Sequence, residues 1–420
     1  MDYGDRIAEA CLQHFRTLPK HGKPREGQQW TVLAAFIKED KRNSLNVVAL
    51  GTGTSCLGSS QMCKDGRMVH DAHAEVIARR AFIRYLYFEL MKIHMKDTGT
   101  STIFTLDKET GCCKLREGIR FHFYVTDPPC GDATIFPIMT TIPKEDGCQL
   151  DEFCAKRRKI CENTISRDLL FNDTNRTGAK CVPGEKQDPH HTGSGYHEIG
   201  SLRTKPGRGE RTHSMSCSDK IMRWNVMGWQ GSLVNLFLSS PIYISVIVCG
   251  PNSNLSALER ALVGRIDKPK ITALLKETKF VTSAPQIITS SCVFQYQKPY
   301  YGSDLKPCGS AVAWSDVPQN AHAVIAKTGF RLGTTRKSQH LPQASSCISR
   351  VNLLKLFMKI FSALHSNYLI CRKISEQDSC VSYGDYKNLS EEYVQTWQKL
   401  RESCFSNWLK HNLCFDNFTV

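Results

Sequence analysis

A layered α/β domain, with a mixed central sheet between helices and a C-terminal helical extension, is the fold class this sequence predicts. Three observations carry it: an amphipathic helix opens the chain, short apolar strands then alternate with longer helical patterns, and the last part holds two apolar helices. The opening helix runs from Asp5 to Leu18, with Ile7, Cys11, Leu12, Phe15 and Leu18 at helical spacing. Asn46 to Leu50 reads as a strand running into Gly51-Thr52-Gly53-Thr54, and a second strand near Cys56 to Met62, closed by Lys64-Asp65-Gly66, completes an expected hairpin. A long helix follows from about Ala72 to Lys92, and a strand from Arg120 to Thr126 delivers Pro128-Pro129-Cys130 at its end. Further on come a helix from Met215 through Trp224, a strand Ile242 to Val248, a helix Leu255 to Ile266, and the apolar helices Ile348 to Leu364 and Ser390 to Leu409. No internal repeat is evident.

Residues 1–420 are read as one domain. From about 141 to 212 the composition shifts to Gly, Lys, Arg, His and Asp with few paired apolar positions, which predicts a largely disordered surface insertion. A hydrophobic content of 41% is ample for a buried core. The net charge of +15 favours an anionic macromolecular partner, because clustered Lys and Arg gain from counterion release on a phosphate backbone. Charge alone does not separate RNA, DNA and a membrane surface. The start Met1-Asp2-Tyr3-Gly4-Asp5-Arg6 has no apolar signal core and no stretch reaches the ~20 apolar residues of a membrane span, so an intracellular protein, nuclear or cytoplasmic, is expected. The 19 cysteines lack the regular spacing of a disulfide scaffold; most are read as small buried hydrophobes and a few as ligands.

The chemistry concentrates at His73-Ala74-Glu75, upstream of Pro129-Cys130-Gly131-Asp132. Zinc-activated deamination needs a metal held by imidazole and thiolate, an open position for water, and an unligated carboxylate that moves protons. His73 and Glu75, at the start of a helix, supply the first half, and Cys130 at a strand end faces them. The general signature asks for another cysteine three residues on, but that position is Ala133, so a third protein ligand must come from far along the chain. A similar tripeptide, Pro307-Cys308-Gly309, lacks a preceding strand of the Phe121-to-Val125 type. Gly51-Thr52-Gly53-Thr54-Ser55-Cys56 lacks the Gly-Lys-Ser/Thr ending of a triphosphate loop. Arg79 and Arg80 fall between Val76 and Ile83 on a helix whose apolar stripe continues to Leu90, and two cations facing a core are costly without anions. Left alone, such arginines snorkel to solvent.

His73-Ala74-Glu75-Val76-Ile77-Ala78-Arg79-Arg80, Pro129-Cys130-Gly131-Asp132-Ala133, Met215-Ser216-Cys217-Ser218-Asp219-Lys220-Ile221, Arg223-Trp224-Asn225-Val226 and Gly228-Trp229-Gln230-Gly231-Ser232-Leu233 together resemble the adenosine deaminases acting on RNA and tRNA. The resemblance spans nearly the whole chain outside the insertion. It implies a cytidine-deaminase-like fold, with Cys217 as the third zinc ligand beside His73 and Cys130, and Glu75 as the proton carrier. It also implies a buried inositol hexakisphosphate held by Arg79, Arg80, Ser214, Lys220, Arg223, Ser232 and Arg350, with Tyr383, Lys387 and Tyr393 keeping the family's spacing. Trp408 and Asp416 match over a shortened segment, and Trp397 stands where a lysine is expected. The adenosine pocket would be bordered by Thr54 and by Ser55, which replaces a lysine of the editing enzymes.

The implied activity is deamination of adenosine to inosine in tRNA, at the adenosine immediately 3′ of the anticodon of alanine tRNA, whose loop presents bases at low unstacking cost. The short loop from Leu202-Arg203-Thr204-Lys205 to Gly209-Glu210-Arg211 agrees with a substrate that needs no duplex flipping. Two alternatives stand beside this reading. One is an editor of double-stranded RNA, against which the chain begins almost at the catalytic part. The other is an inactive zinc-stabilised RNA-binding scaffold, against which Glu75 is retained. Lys156-Arg157-Arg158-Lys159 is a solvated loop, a nuclear-import signal or a tRNA contact.

Overall fold

The computed structural model describes residues 1–94, 101–140, 171–206, 210–266, 268–299, 304–364, 381–410 and 412–420. Its centre is a sheet of seven strands: β1 Leu33–Glu39, β2 Leu45–Thr52, β3 Arg120–Val125, β4 Ile244–Cys249, β5 Gln286–Thr289, β6 Ser310–Ser315 and β7 His322–Ala326. The order is β5-β4-β3-β1-β2-β6-β7. β3, β4 and β5 run parallel and the remaining neighbours antiparallel, which makes the sheet mixed as the sequence predicted.

Side chains of β1 alternate between two cores, as the period of a strand buried on both faces requires. Leu33, Ala35 and Ile37 pack on helix α1 Tyr3–Thr17 through Ile7, Cys11, Leu12 and Phe15. Ala34 and Phe36 face helix α2 Ala74–His94. Phe36 stacks on Phe82 at 4.3 Å with rings 3° apart, and Trp229 meets Phe36 edge-on at 5.4 Å. Such pairs add roughly 0.5–1.5 kcal/mol beyond the area they bury. α2 is more enclosed than the stripe Val76, Ile83, Leu90 suggested. Ala74, Ile77, Ala78, Ala81, Phe82, Tyr85 and Leu86 are also buried, because the sheet covers one side and the helix Arg350–Leu364 another. A third core lies under the C-terminal helices, where Met222, Val226 and Met227 of helix α3 Cys217–Met227 meet Tyr393, Leu400, Phe405 and Trp408.

Two expectations are corrected. The expected partner of the Asn46-to-Leu50 strand is not Cys56 to Met62. The short strand Thr54–Cys56 leaves the central sheet at Gly53 and pairs with Asp71–His73, while Ser59–Gln61 forms a single 3₁₀ turn. Gly53 has φ 137°, and a Cβ there would sit 2.1 Å from the Ala72 carbonyl oxygen. That close approach is what redirects the chain. The second correction concerns 141–212. Residues 141–170, including the Lys156 to Lys159 run, lie outside the described residues, but much of the remainder is ordered and built into the domain. Lys180–Cys181, Arg203–Pro206 and Arg211–Met215 form a three-stranded antiparallel sheet. Its polar composition misled because it is held by buried charge pairs: the Arg203 guanidinium, fully buried, donates to both Asp188 oxygens at 2.7 and 2.5 Å. The Leu255-to-Ile266 helix, for its part, is α-helical over Leu255–Glu259 and continues as a π-type turn over Arg260–Gly264.

Candidate active site

Three chain segments far apart in sequence meet at the C-terminal end of β3. His73 ends the strand Asp71–His73, Cys130 lies in the loop after β3, and Cys217 opens α3 behind the N-cap Ser216. Their ligand atoms all lie within 4.8 Å of one another, and no other such group is found among the described residues. Cys130 Sγ is 3.8 Å from His73 Nδ1 and accepts the Cys217 N–H at 3.3 Å. The Ser218 hydroxyl and N–H both donate to the Cys130 carbonyl, at 2.9 and 3.1 Å. Gly131, at φ 105°, allows this approach: a Cβ there would be 2.3 Å from Ser216 Oγ. One imidazole and two thiols form a donor set that suits a zinc ion with an open position. Cys308, the second Pro-Cys-Gly cysteine, is buried beside Ser310 and belongs to no metal-ligating group among the described residues.

Glu75 stands in the first turn of α2, only 3% exposed. Burial, with the neighbouring Cys130 thiolate, pushes its carboxyl above the ordinary range. A hydrogen bond from Cys217 holds the Cys130 thiol well below its ordinary range, aided by the charges of His73 and Lys205 and against the effect of burial.

Asp71 and Lys205 were not singled out in the sequence, and they join the metal-ligating group to the cation cluster behind it. Lys205 Nζ, fully buried, donates to Asp71 Oδ1 and to Cys217 Sγ, both at 2.9 Å. Lys220 Nζ donates to Asp71 Oδ2 and Ser214 Oγ, both at 2.6 Å. Burial alone would raise the Asp71 carboxyl, but Lys205 and Lys220 outweigh it and hold it well below the carboxylate range. The signal available in the sequence was weak: Asp71 stands two residues before His73, and Lys205 lay in the stretch read as loop.

Arg79, Arg80, Arg223 and Arg350 converge behind this relay. Burial pushes Arg79 and Arg80 down to about 10, and each faces another cation, Arg223 and Arg350 respectively. Arg79 Nε donates to the Trp229 carbonyl and Arg80 Nε to that of Ile348. Arg80 Nη2 and Arg223 Nε are buried with no hydrogen-bond partner among the described residues. Tyr383 and Tyr393 lie close enough to favour the charged arginines. Lys387 is tied to Asp416 at 2.6 Å, and Arg350 to the Phe415 carbonyl at 2.9 Å. Ser232 lies in the helix Gly231–Asn235, whose first glycine is in reach of Arg79. Trp397, in place of the expected lysine, stacks on Arg223 at 3.9 Å. Orphaned guanidinium donors among like charges fit a polyphosphate.

Thr54 lies directly opposite His73 in the strand pair, and Ser55 lines a cavity of about 240 Å³ at its side. Glu210 lines the same cavity and accepts from the Ser60 N–H at 3.1 Å and the Ser60 hydroxyl at 2.7 Å.

Residues 49–412 match the adenosine-deaminase (editase) domain family. The chain is 34% identical to tRNA-specific adenosine deaminase 1 of Macaca fascicularis, over 97% of this chain and 98% of that protein. It is 36% identical to the Drosophila melanogaster protein of the same name, over 96% and 94%. A double-stranded RNA-specific adenosine deaminase of Mus musculus is 32% identical over 63% of this chain and 21% of that protein. His73 at the end of a short strand, Glu75 in the first turn of α2, Cys130 in the loop after β3, Cys217 brought in by α3, and a family match over most of the length lead to one conclusion: this chain belongs to the adenosine-deaminase (editase) family.

Proposed function

We propose that this protein deaminates adenosine to inosine in tRNA, at the adenosine immediately 3′ of the anticodon of alanine tRNA. The observation that carries the reading is the meeting of His73, Cys130 and Cys217 beside the buried, unligated Glu75, in a chain matched over nearly its full length by relatives named for tRNA. His73, Cys130 and Cys217 would hold zinc, whose Lewis acidity makes a water nucleophilic near neutral pH. Glu75 takes a proton from the attacking water and delivers it to adenine N1, then takes the remaining proton from the new C6 hydroxyl and gives it to the amino group, which departs as ammonia while N1 keeps its proton. A carboxyl raised by burial suits that alternation between base and acid. Thr54 and Ser55 border the space where the base enters.

Inositol hexakisphosphate is proposed as the anion that Arg79, Arg80, Lys220, Arg223 and Arg350 surround, with Ser214, Ser232, Tyr383, Lys387 and Tyr393 at its edge. The orphaned donors of Arg80 and Arg223 support it. We place the activity inside the cell, in nucleus, cytoplasm or both. No described helix is long and apolar enough to cross a membrane.

The test is to incubate the purified protein with unmodified tRNAs and sequence them for adenosine-to-inosine conversion. Conversion confined to the position 3′ of the anticodon in alanine tRNA is the expected result. Absence of conversion in any tRNA overturns the reading, and conversion only in long duplex RNA replaces it with the duplex editor.

A further inference from the structure

Beside the cavity that Ser55 lines is a second one that the chemistry leaves unused. The cavity at Ser55 shares Leu57, Gln61 and Lys327 with a larger one of about 780 Å³. Leu57, Met68 and Phe330, each less than a tenth exposed, form its apolar floor. Arg67, Lys327, Arg336 and His340 line its sides, and no Asp or Glu does. Arg67 is pinned: its Nε donates to Asp65 at 2.6 Å and its Nη1 to the Gln339 carbonyl at 2.8 Å, so Asp65 offsets part of its charge. Lys327 and Arg336 are exposed and make no hydrogen bond or ion pair among the described residues. Glu210, the one carboxylate lining the smaller cavity among the described residues, is engaged by Ser60.

An apolar floor inside a ring of cations matches the two halves of a single-stranded nucleotide: a base that sheds water against an apolar surface and a phosphate that pairs with Lys or Arg. A small inorganic anion has no use for the floor, and a duplex keeps its bases stacked away from it. Ser55, which lines the smaller cavity, follows Thr54, the strand partner of His73, and this brings the groove near the site. We propose that it receives the unpaired nucleotides adjoining the target adenosine, with a base over Met68 and Phe330 and backbone phosphates at Lys327 and Arg336. The proposal rests on the RNA-deaminase reading and specifies how that site selects a loop over a helix.

The experiment compares the full chain with the Lys327→Glu/Arg336→Glu double variant, and with the milder Lys327→Ala/Arg336→Ala in case charge reversal disturbs folding. The probe is unmodified alanine tRNA, with binding measured across a salt series and kinetics at fixed salt. The alanine double variant should lower the slope of log affinity against log salt by about two, since each lost phosphate contact removes about one. KM for tRNA should rise roughly tenfold with kcat at saturation changed less than about twofold, the pattern of lost uniform binding. Thiouridine placed in the anticodon loop should photo-crosslink to the peptide containing Lys327 to His340. Wild-type protein that converts tRNA adenosine while both variants keep its salt slope and KM overturns the groove alone. Loss of tRNA binding in the variants of a protein that converts no adenosine keeps the groove and sinks the deaminase reading instead.

Discussion

Glu75 and Cys217 separate two roles that a single activity assay confounds. Glu75→Gln removes the proposed proton carrier without touching a proposed ligand atom, so activity should fall by roughly 10²–10⁴-fold while bound metal, read by elemental analysis, stays at the wild-type level. Cys217→Ala should lose metal and activity together; full metal occupancy there would remove Cys217 from the ligand set. Asp127 offers a pH-dependent test. Burial pushes its carboxyl up to about 6 from an ordinary 3.8, against the hydrogen bonds it accepts from Thr126 and Gln297. Between those two values the folded protein holds a proton that the unfolded chain has released. Stability is therefore lost as pH rises through that window, and the cost of ionised Asp127 is complete above it. Asp127→Asn keeps the Gln297 bond and carries no charge. It should raise unfolding free energy at pH 7.5 by on the order of 1–3 kcal/mol, shrinking toward zero near pH 4, as urea titrations at both pH values would show. Equal stability of the two proteins at pH 7.5 would show that the carboxylate is better solvated than its burial implies.

Among the elements, those that obey a local rule were legible. The opening helix, α2, β3 and β4 came within a few residues of their observed bounds, because apolar spacing reflects the face each one buries. The pairing of Thr54–Cys56 with Asp71–His73 was not legible, since Gly53 turns the chain through contact with a backbone carbonyl 19 residues away, at Ala72. Nor was the sheet Lys180–Cys181, Arg203–Pro206 and Arg211–Met215, whose cohesion comes from charge pairing. That sheet changes what a deletion should do. Removing 171–201 takes away Asp188 and strands the buried Arg203 beside the segment that carries Lys205. The deleted protein should be insoluble or unfolded, and Asp188→Ala alone should cost about 3–5 kcal/mol in chemical denaturation, the usual cost of leaving one partner of a buried ion pair alone. A soluble, active deletion product would show that this sheet is dispensable.

At the scale of the whole molecule, the arginines behind the site are the main unbalanced element. With Arg79 facing Arg223 and Arg80 facing Arg350, an anion that binds only the folded protein would shift folding toward the native state. Denaturing the purified protein and analysing the released small molecules by mass spectrometry should yield an inositol polyphosphate, and protein made in cells unable to synthesise it should be poorly folded and inactive. Release of no such molecule from active protein would refute that assignment. The sequence by itself determined the layered α/β class, the His73-Glu75-Cys130 half of the site and, through its ordered motifs, the family, because short-range spacing and residue chemistry are written locally. Cys217 could be named only by resemblance: a residue 87 positions beyond Cys130 carries no spacing signal. The tertiary structure alone brought Asp71 and Lys205 between Cys217 and Lys220 and set Lys327 and Arg336 around one cavity adjoining the one that Ser55 lines. Such contacts depend on register and on the packing of distant segments, and the local pattern of residues does not encode them.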